Sequence, residues 1–185
     1  MHLRIVGLVA ALMGAIAIVE VRPAPSRPRA TAAPPAVNLP GPALSVPPIE
    51  GLTARDLHDN FSEHRGIARH EAIDIMEPRG TQVRAVVDGA IAKLFLSRAG
   101  GNTIYLFDSG PVYSYYYAHL DRYAEGLHEG QRVSAGEVIG YVGSSGNANA
   151  SAPHLHFTIF ELEPGKRWYK GTPVNPYPIL IRMVR

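Results

Sequence analysis

Histidine and acidic side chains recur in two short motifs that lie far apart in the chain. The first is His70-Glu71-Ala72-Ile73-Asp74, and the second is His154-Leu155-His156-Phe157. A further histidine lies between them, in Tyr117-Ala118-His119-Leu120. Two imidazoles and one carboxylate are a ligand set typical of catalytic zinc, which keeps a fourth position open. The motifs together therefore predict a zinc hydrolase site, with two more histidines left to transfer protons.

Such a site would activate water by lowering its pKa toward ~7 and would polarise a substrate carbonyl. A remaining histidine could act as general base, or it could donate a hydrogen bond to the developing oxyanion. The chain contains no Gly-x-Ser-x-Gly motif. His70-Glu71 resembles the start of H-E-x-x-H, but Asp74 stands where that motif needs its second histidine.

Alternation along extended chain predicts which side chains share a face. Leu155, Phe157 and Ile159 fall on one side of their segment, whereas His154 and His156 fall on the other. We therefore expect the two histidines to face one site.

The same rule applies around the first motif. Ile73 and Ile75 should point into the core, and Asp74 should point away from it. Because His70 lies an even number of residues before Asp74, an extended chain would place both on one face.

The remainder of 49–185 reads as short strands separated by glycine-rich turns, which predicts an all-β fold: an antiparallel sheet or compact sandwich. Asp88-Gly89 predicts a hairpin between two strands, and Asp108–Pro111 predicts another turn. Helix is expected only at Thr53–Asp59 and Asp121–Glu125. The predicted strands are Gln82–Val87, Ala90–Leu96, Asn102–Phe107, Val112–Ala118, Gln131–Val133, Val138–Val142 and His154–Leu162.

Residues 1–20 read as a signal peptide or an uncleaved membrane anchor. Arg4 precedes an uncharged run, Ile5–Val19, that would span about 22 Å as a helix, short of a bilayer core of about 30 Å. Ala15-Ile16-Ala17 offers a small-residue processing site. We expect an exported protein, periplasmic or in the cell envelope, with membrane contact only through this segment.

Residues 21–48 hold nine of the 16 prolines and few large apolar side chains. This composition predicts a disordered linker biased toward polyproline II, acting as a spacer or simply as a leader. The chain has no cysteine, which excludes disulfides and thiolate metal sites. A formal charge of +2 without a basic cluster does not indicate nucleic-acid binding. Oligomeric state is left open.

The region between Asn60 and Tyr177 resembles the lysostaphin-type (LytM-domain) zinc metallopeptidases, which cleave peptide bonds in bacterial peptidoglycan. The matching features beyond the histidine motifs are Asn60-Phe61, Pro78-x-Gly80-Thr81, Asp88-Gly89, Gly101-Asn102, Val133-x-x-Gly136, Ile139-Gly140 and Val174-Asn175-Pro176. The chain departs from the usual pattern at Ala72, where glycine is common, and at Thr158, where an acidic residue is common.

The resemblance implies one Zn²⁺ held by His70, Asp74 and His156, with His119 and His154 as catalytic histidines. It also implies a twisted antiparallel sheet whose groove, walled by loops, receives a peptidoglycan stem peptide or cross-bridge. The nucleophile would be a zinc-activated water.

Two side chains are expected in the substrate groove, Tyr117 beside His119 and Asn102. Alternation sends Tyr113, Tyr115 and Tyr117 to one face and Tyr116 to the other, so packing in the sheet is the competing interpretation for Tyr117. For the whole domain, the alternative is a non-catalytic module that binds wall peptide or regulates another hydrolase. A carrier domain is disfavoured, because the tip of the hairpin in 133–146 has no lysine.

Overall fold

The computed structural model describes residues 41–185, which form antiparallel β-structure followed by one short helix. The predicted signal peptide or anchor and most of the predicted linker lie outside the described residues. Within 41–185, no helix has the length and apolar character needed to cross a membrane.

The strands are short and closely spaced, as the glycine-rich turns predict. In chain order they are β1 (His64–Arg65), β2 (Ala68–Arg69), β3 (Ile73–Met76), β4 (Gln82–Arg84), β5 (Gly89–Ser97), β6 (Gly101–Asp108), β7 (Tyr113–Tyr123), β8 (Arg132–Val133), β9 (Val138–Val142), β10 (His154–Leu162) and β11 (Gly171–Val174). The helix α1 follows at Tyr177–Met183.

Nine strands form one antiparallel sheet, which confirms the predicted fold class. Its main path runs β11-β10-β7-β6-β5-β8, while β1 and β2 form a separate hairpin. Strand β3 pairs with the first half of β10, and β11 pairs with its second half. Strand β9 pairs with both β7 and β4. Strand β10 is therefore bonded along both of its edges.

One face of the sheet carries the core, and the predicted alternation holds on the strands that matter most. Leu155, Phe157 and Ile159 on β10 are buried, as are Ile73 and Ile75 on β3. Because burial of apolar side chains is the main favourable term in folding, these faces fix the orientation of the polar residues between them.

The hairpin expected at Asp88-Gly89 is wrong. Strand β4 pairs with β9, and β5 pairs with β6. The glycine is required for a different reason: a Cβ at Gly89 would overlap the backbone carbonyl of Phe107 on the neighbouring strand. A close backbone approach selects glycine as strongly as a turn does.

Both expected helices are also wrong. Thr53–Asp59 forms a turn in which the Thr53 N–H donates to the Asp56 carboxylate at 2.8 Å, with no helix following. In Asp121–Glu125, β7 continues to Tyr123 because β9 offers it a pairing partner. The helix that does form, α1, has proline within its first turn, a position where the missing N–H costs nothing.

The last part of the predicted linker lies against the sheet. The Ser45 N–H donates to the Val86 carbonyl at 2.8 Å, and the Arg84 N–H donates to the Pro48 carbonyl at 2.8 Å. Residues 45–48 therefore belong to the packed structure, although composition alone placed them in the linker.

Candidate metal centre

Two of the predicted ligands lie directly opposite each other on paired strands. In the antiparallel register of β3 and β10, Asp74 is the partner of His156. Residues opposite each other project to the same face of a sheet. The Asp74 Oδ1 and His156 Nδ1 atoms are consequently 3.1 Å apart.

His70 completes the group, but not by the route that sequence parity predicts. Glu71 adopts φ 56°, a left-handed conformation, so the chain between His70 and Asp74 bends and is not extended. The bend brings His70 Nε2 to 3.0 Å from Asp74 Oδ1 and 3.1 Å from His156 Nδ1. His70 and Asp74 therefore lie close together, as predicted, but the chain between them is bent and not extended.

The bend is held by hydrogen bonds on both sides. The His70 N–H donates to the Glu63 carbonyl at 2.8 Å, and the Glu71 N–H donates to the Phe61 carbonyl at 2.9 Å. The Thr158 hydroxyl on β10 donates to the Glu71 carbonyl at 2.6 Å. Thr158, noted in the sequence as a departure from the family pattern, thus ties the His70 segment to the strand that carries His156.

Asn60 orients two of the three predicted ligands, a role that the sequence did not reveal. Its backbone carbonyl lies 3.1 Å from His70 Nδ1, and a carbonyl can only accept, so Nδ1 carries the proton and Nε2 presents its lone pair. Its side-chain oxygen accepts from the Asp74 N–H at 3.2 Å. Metal-binding histidines typically have such a partner on their second nitrogen.

Arg65, on the β1–β2 hairpin, was also missed. Its guanidinium donates to Asp74 Oδ2 at 2.7 Å, which leaves Oδ1 directed at the two imidazoles. Burial would raise the pKa of Asp74, but its polar contacts with His156, His70 and the Arg65 guanidinium outweigh burial and lower the pKa well below the usual range. Asp74 is therefore an ionised carboxylate at neutral pH, as its predicted role as a metal ligand requires.

The donor atoms of this trio fit a single small cation. His70 Nε2, Asp74 Oδ1 and His156 Nδ1 are separated from one another by 3.0, 3.1 and 3.1 Å. Bonds of about 2.0–2.1 Å in a tetrahedral zinc site place neighbouring ligand atoms roughly 3.3 Å apart. Within 41–185, these residues form the one cluster of histidine and acidic ligands suited to a metal.

His119 reaches the site through a β-bulge. Tyr117 and Leu120 are three residues apart on β7, whereas their register partners on β6, Ile104 and Asn102, are only two residues apart. His119 lies within the bulge at φ 60°. Strict alternation would send His119 into the core behind Tyr117; the extra residue puts Leu120 there, fully buried, and turns His119 toward the other histidines.

His119 and His154 stand side by side next to the ligand trio. Their ring centroids are 4.9 Å apart, and the His119 ring is 5.4 Å from that of His156. His119 Nδ1 lies 2.8 Å from the Ser145 carbonyl, and His154 Nδ1 lies 2.8 Å from the Ala152 carbonyl. Each Nδ1 therefore carries a proton, which frees each Nε2 for chemistry.

Burial lowers the pKa of His119 to about 4, although its hydrogen bond to the Ser145 carbonyl acts in the opposite direction. The imidazole is therefore neutral at physiological pH and can accept a proton. A small pocket of about 150 Å³ opens onto this side chain. Its lining consists of Ala99, Gly100, Tyr116, His119, Asn147 and His156.

The structure does not place Tyr117 or Asn102 in the groove. Tyr117 is 0% exposed, and its hydroxyl accepts from the Val86 N–H at 3.1 Å in the core. The Asn102 amide donates to the carbonyls of Leu120 and Asp121, so it fixes the end of the bulge. Tyr116, on the opposite face as alternation predicts, is the tyrosine beside the site, with its ring 6.0 Å from that of His156.

Known proteins are similar to this chain in both sequence and structure. Residues 68–176 match peptidase family M23. The L-Ala--D-Glu endopeptidase of Bacillus subtilis (strain 168) is 35% identical over 60% of this chain and 34% of its own length. Glycyl-glycine endopeptidase ALE-1 of Staphylococcus capitis is 39% identical over 60% of this chain and 29% of its own length. The chain thus spans about a third of the length of these curated relatives.

The catalytic domain of the antimicrobial peptidase lysostaphin from Staphylococcus simulans has a similar structure. The TM-score is 0.51 with 33% identity, covering 60% of this chain and 79% of that domain. The family match includes all five residues of the site and more than half of the chain. The chain therefore belongs to peptidase family M23 and is homologous to lysostaphin and related peptidoglycan endopeptidases.

Proposed function

We propose that this protein is a zinc metalloendopeptidase that hydrolyses peptide bonds in peptidoglycan stem peptides or cross-bridges. The observation that carries the proposal is the triangle of His70 Nε2, Asp74 Oδ1 and His156 Nδ1. Two more histidines whose Nδ1 atoms are both bound to carbonyls lie directly beside it.

His70, Asp74 and His156 would hold one Zn²⁺ ion. A bound zinc ion supplies Lewis-acid chemistry, polarising a carbonyl and lowering the pKa of water. Two neutral imidazoles and one carboxylate leave that centre with net positive charge, which favours negative charge developing on a substrate oxygen.

His119 acts as the general base in this proposal. Its Nδ1 proton is fixed on the Ser145 carbonyl, and its lowered pKa leaves Nε2 unprotonated at neutral pH. Nε2 takes the proton of the attacking water and later gives it to the leaving amine.

His154 serves as the hydrogen-bond donor to the oxyanion. The Ala152 carbonyl fixes its Nδ1 proton. Its Nε2 lies 3.7 Å from Asp74 Oδ1, on the side of the ring that faces the ligand trio. A protonated Nε2 directed at the reacting carbonyl stabilises the tetrahedral oxyanion.

The substrate class follows from the relatives and not from the shape of the pocket. Their names specify an L-Ala–D-Glu bond in one case and a glycyl-glycine bond in another. The shared element is a peptide bond of the cell wall, so the proposal is made at that level. Action on the wall also requires the export that residues 1–20 predict. The complete set of ligands and histidines disfavours the alternative of a non-catalytic regulatory module.

Digestion of purified sacculi, with products identified by mass spectrometry, tests the proposal. We expect release of peptide-cleaved fragments, loss of release on adding a chelator, and recovery on adding Zn²⁺. The Asp74→Ala protein is the matched control, because it removes one ligand. Sacculi that stay intact under all conditions would favour the regulatory module, and cleaved glycosidic bonds would contradict a peptidase.

A further inference from the structure

A cluster of aromatic side chains lies on the sheet at a distance from the ligand trio. Trp168, in the loop between β10 and β11, has its ring centroid 4.9 Å from that of Tyr105 and 5.2 Å from that of Phe95. Tyr169, with 55% of its surface exposed, lies 5.2 Å from Trp168. The loop therefore spreads an aromatic surface over β5 and β6 that remains open to solvent.

This surface is continuous with the candidate metal centre. Tyr105 on β6 is the register partner of Tyr116 on β7, and their rings are 4.7 Å apart. Tyr116 in turn lies 6.0 Å from His156. A row of rings therefore leads from a proposed metal ligand, across two strands, to Trp168.

A pocket of about 410 Å³ opens beside Trp168. Its floor is apolar and includes Ala90, Ala92 and Phe107, whereas Lys166 and Arg167 stand at its rim. Both cations are exposed, and no carboxylate among residues 41–185 forms an ion pair with either of them. The neighbouring Lys170, by contrast, lies 3.9 Å from the Glu163 carboxylate.

The shape and charge of this site select the chemistry of its ligand. Flat aromatic faces pack against apolar faces of comparable size, such as the C–H faces of pyranose rings. Two exposed cations favour a ligand that also carries carboxylates. Acidic amino sugars combine both properties.

We propose that the surface formed by Lys166, Arg167, Trp168 and Tyr169 binds the glycan strand of peptidoglycan through a muramyl residue whose lactyl carboxylate carries no peptide, while the peptide attached to a neighbouring muramyl residue runs along the ring row to the metal centre. The proposal rests on the proposed function, whose substrate it extends. The row consists of successive ring distances of 4.9, 4.7 and 6.0 Å. An extended peptide of about four or five residues covers that reach at roughly 3.3 Å per residue.

Trp168 is the only tryptophan of the chain, so its fluorescence reports on this surface alone. The full-length protein should be titrated with peptide-free glycan strands, whose lactyl groups are carboxylates, and separately with neutral chitin oligosaccharides. We expect a saturable change in emission with the acidic strands and at least fivefold weaker binding of the neutral ones. A silent tryptophan, or an equal response to free stem peptide, would overturn the proposal.

Charge variants test the role of the rim. Lys166→Gln combined with Arg167→Gln should weaken binding of acidic glycan at least fivefold and remove its preference over chitin oligosaccharides. Lys170→Gln is the matched control in the same loop and should bind as the wild type does. Wild-type binding by the double variant would contradict the assignment.

Kinetics separate this surface from the catalytic site. Trp168→Ala and Tyr169→Ala should each raise KM for sacculi several-fold and leave kcat on a short soluble stem peptide unchanged. Because Tyr169 is exposed, its variant remains informative if loss of Trp168 disturbs the loop. The fluorescence titration requires no turnover: binding without cleavage would contradict the proposed function alone, and cleavage without binding would contradict the glycan surface alone.

Discussion

The two sides of the candidate site are built by different means. On one side, Asp74 and His156 lie on regular paired strands, directly opposite each other. On the other, His119 occupies a β-bulge at φ 60°, and His70 precedes a bend where Glu71 adopts φ 56°. Regular pairing of β3 and β10 sets the distance between two of the predicted ligands. On the bent side, left-handed backbone turns side chains toward the site that strict alternation would point away from it. The paired-strand side and the bent side therefore respond differently to mutation.

The largest expected effect is on the paired-strand side. Asp74→Ala should remove the ionised ligand, reduce bound zinc from about one equivalent to nearly none, and abolish activity, because three protein ligands are the minimum typical of catalytic zinc. Metal analysis of the purified variant, beside digestion of sacculi, measures both. Near-wild-type zinc content would show that the trio is not the metal site.

Loss of either histidine outside the proposed ligand trio, His154 on the paired-strand side or His119 on the bent side, should abolish chemistry while the metal is kept. His119→Ala and His154→Ala should each retain zinc and lower kcat by about 10²–10⁴-fold, the usual contribution of a positioned proton-transfer or donor group. The assay is turnover of a soluble peptide by metal-loaded protein. Loss of zinc from the His119→Ala protein would contradict the assignment of His119 as a catalytic histidine and not a ligand.

Thr158 connects the two sides, and its loss should have an intermediate effect. Thr158→Val removes the hydroxyl that donates to the Glu71 carbonyl at 2.6 Å. Leaving a buried acceptor unsatisfied costs about 1–3 kcal/mol of stability. Loosening the His70 segment should also weaken zinc binding about tenfold, as loss of a partner behind a ligand typically does.

Thr103→Val is the matched control for that experiment. Thr103 is equally buried, and its hydroxyl donates to the Phe95 carbonyl at 2.8 Å, outside the ligand group. Denaturant unfolding should show a similar loss of stability, whereas zinc competition should show unchanged affinity. Equal losses of zinc affinity in both variants would mean that Thr158 has no specific role at the metal centre.

The smallest expected effect tests the strain of the bend. Glu71→Gly should stabilise the protein by up to about 1 kcal/mol, because glycine adopts positive φ without the steric cost that other residues carry. Glu125→Gly, at a position without positive φ, should instead destabilise it. Thermal unfolding of metal-loaded samples distinguishes the two. A destabilised Glu71→Gly protein would show that the Glu71 side chain contributes more than its backbone strain costs.

The difference between regular paired strands and bent backbone also decides how much of the site the sequence could predict. Alternation on β3 and β10 correctly placed Asp74, His154 and His156, because one fully apolar face leaves their register little freedom. The bulge at His119 has no comparable signal, since it arises from a one-residue mismatch between β6 and β7. The bulge also explains why the position predicted for Tyr117 is wrong. Its closeness to His119 in the sequence suggested the substrate groove, whereas its side chain is buried in the core.

Long-range pairing accounts for the other differences. Asp88-Gly89 has the composition of a hairpin turn, yet β4 pairs with β9, more than fifty positions along the chain from its start. Arg65 acts on Asp74 from the two-residue strand β1, and Asn60 acts on it from the loop before that strand. Local patterns specify faces and turns, whereas the choice of strand partner depends on contacts between distant segments.

Strand β10 is hydrogen-bonded to β7 on one edge and to β3 and β11 on the other. Its amides should therefore exchange with deuterium only on global unfolding, whereas amides of the exposed β1–β2 hairpin should exchange through local opening. His154 and His156 thus sit on the segment that opens last, and His70 sits beside the segment that opens first. The fluctuation that releases a bound ion should accordingly begin at His70, with the β10 histidines still in place to recapture it.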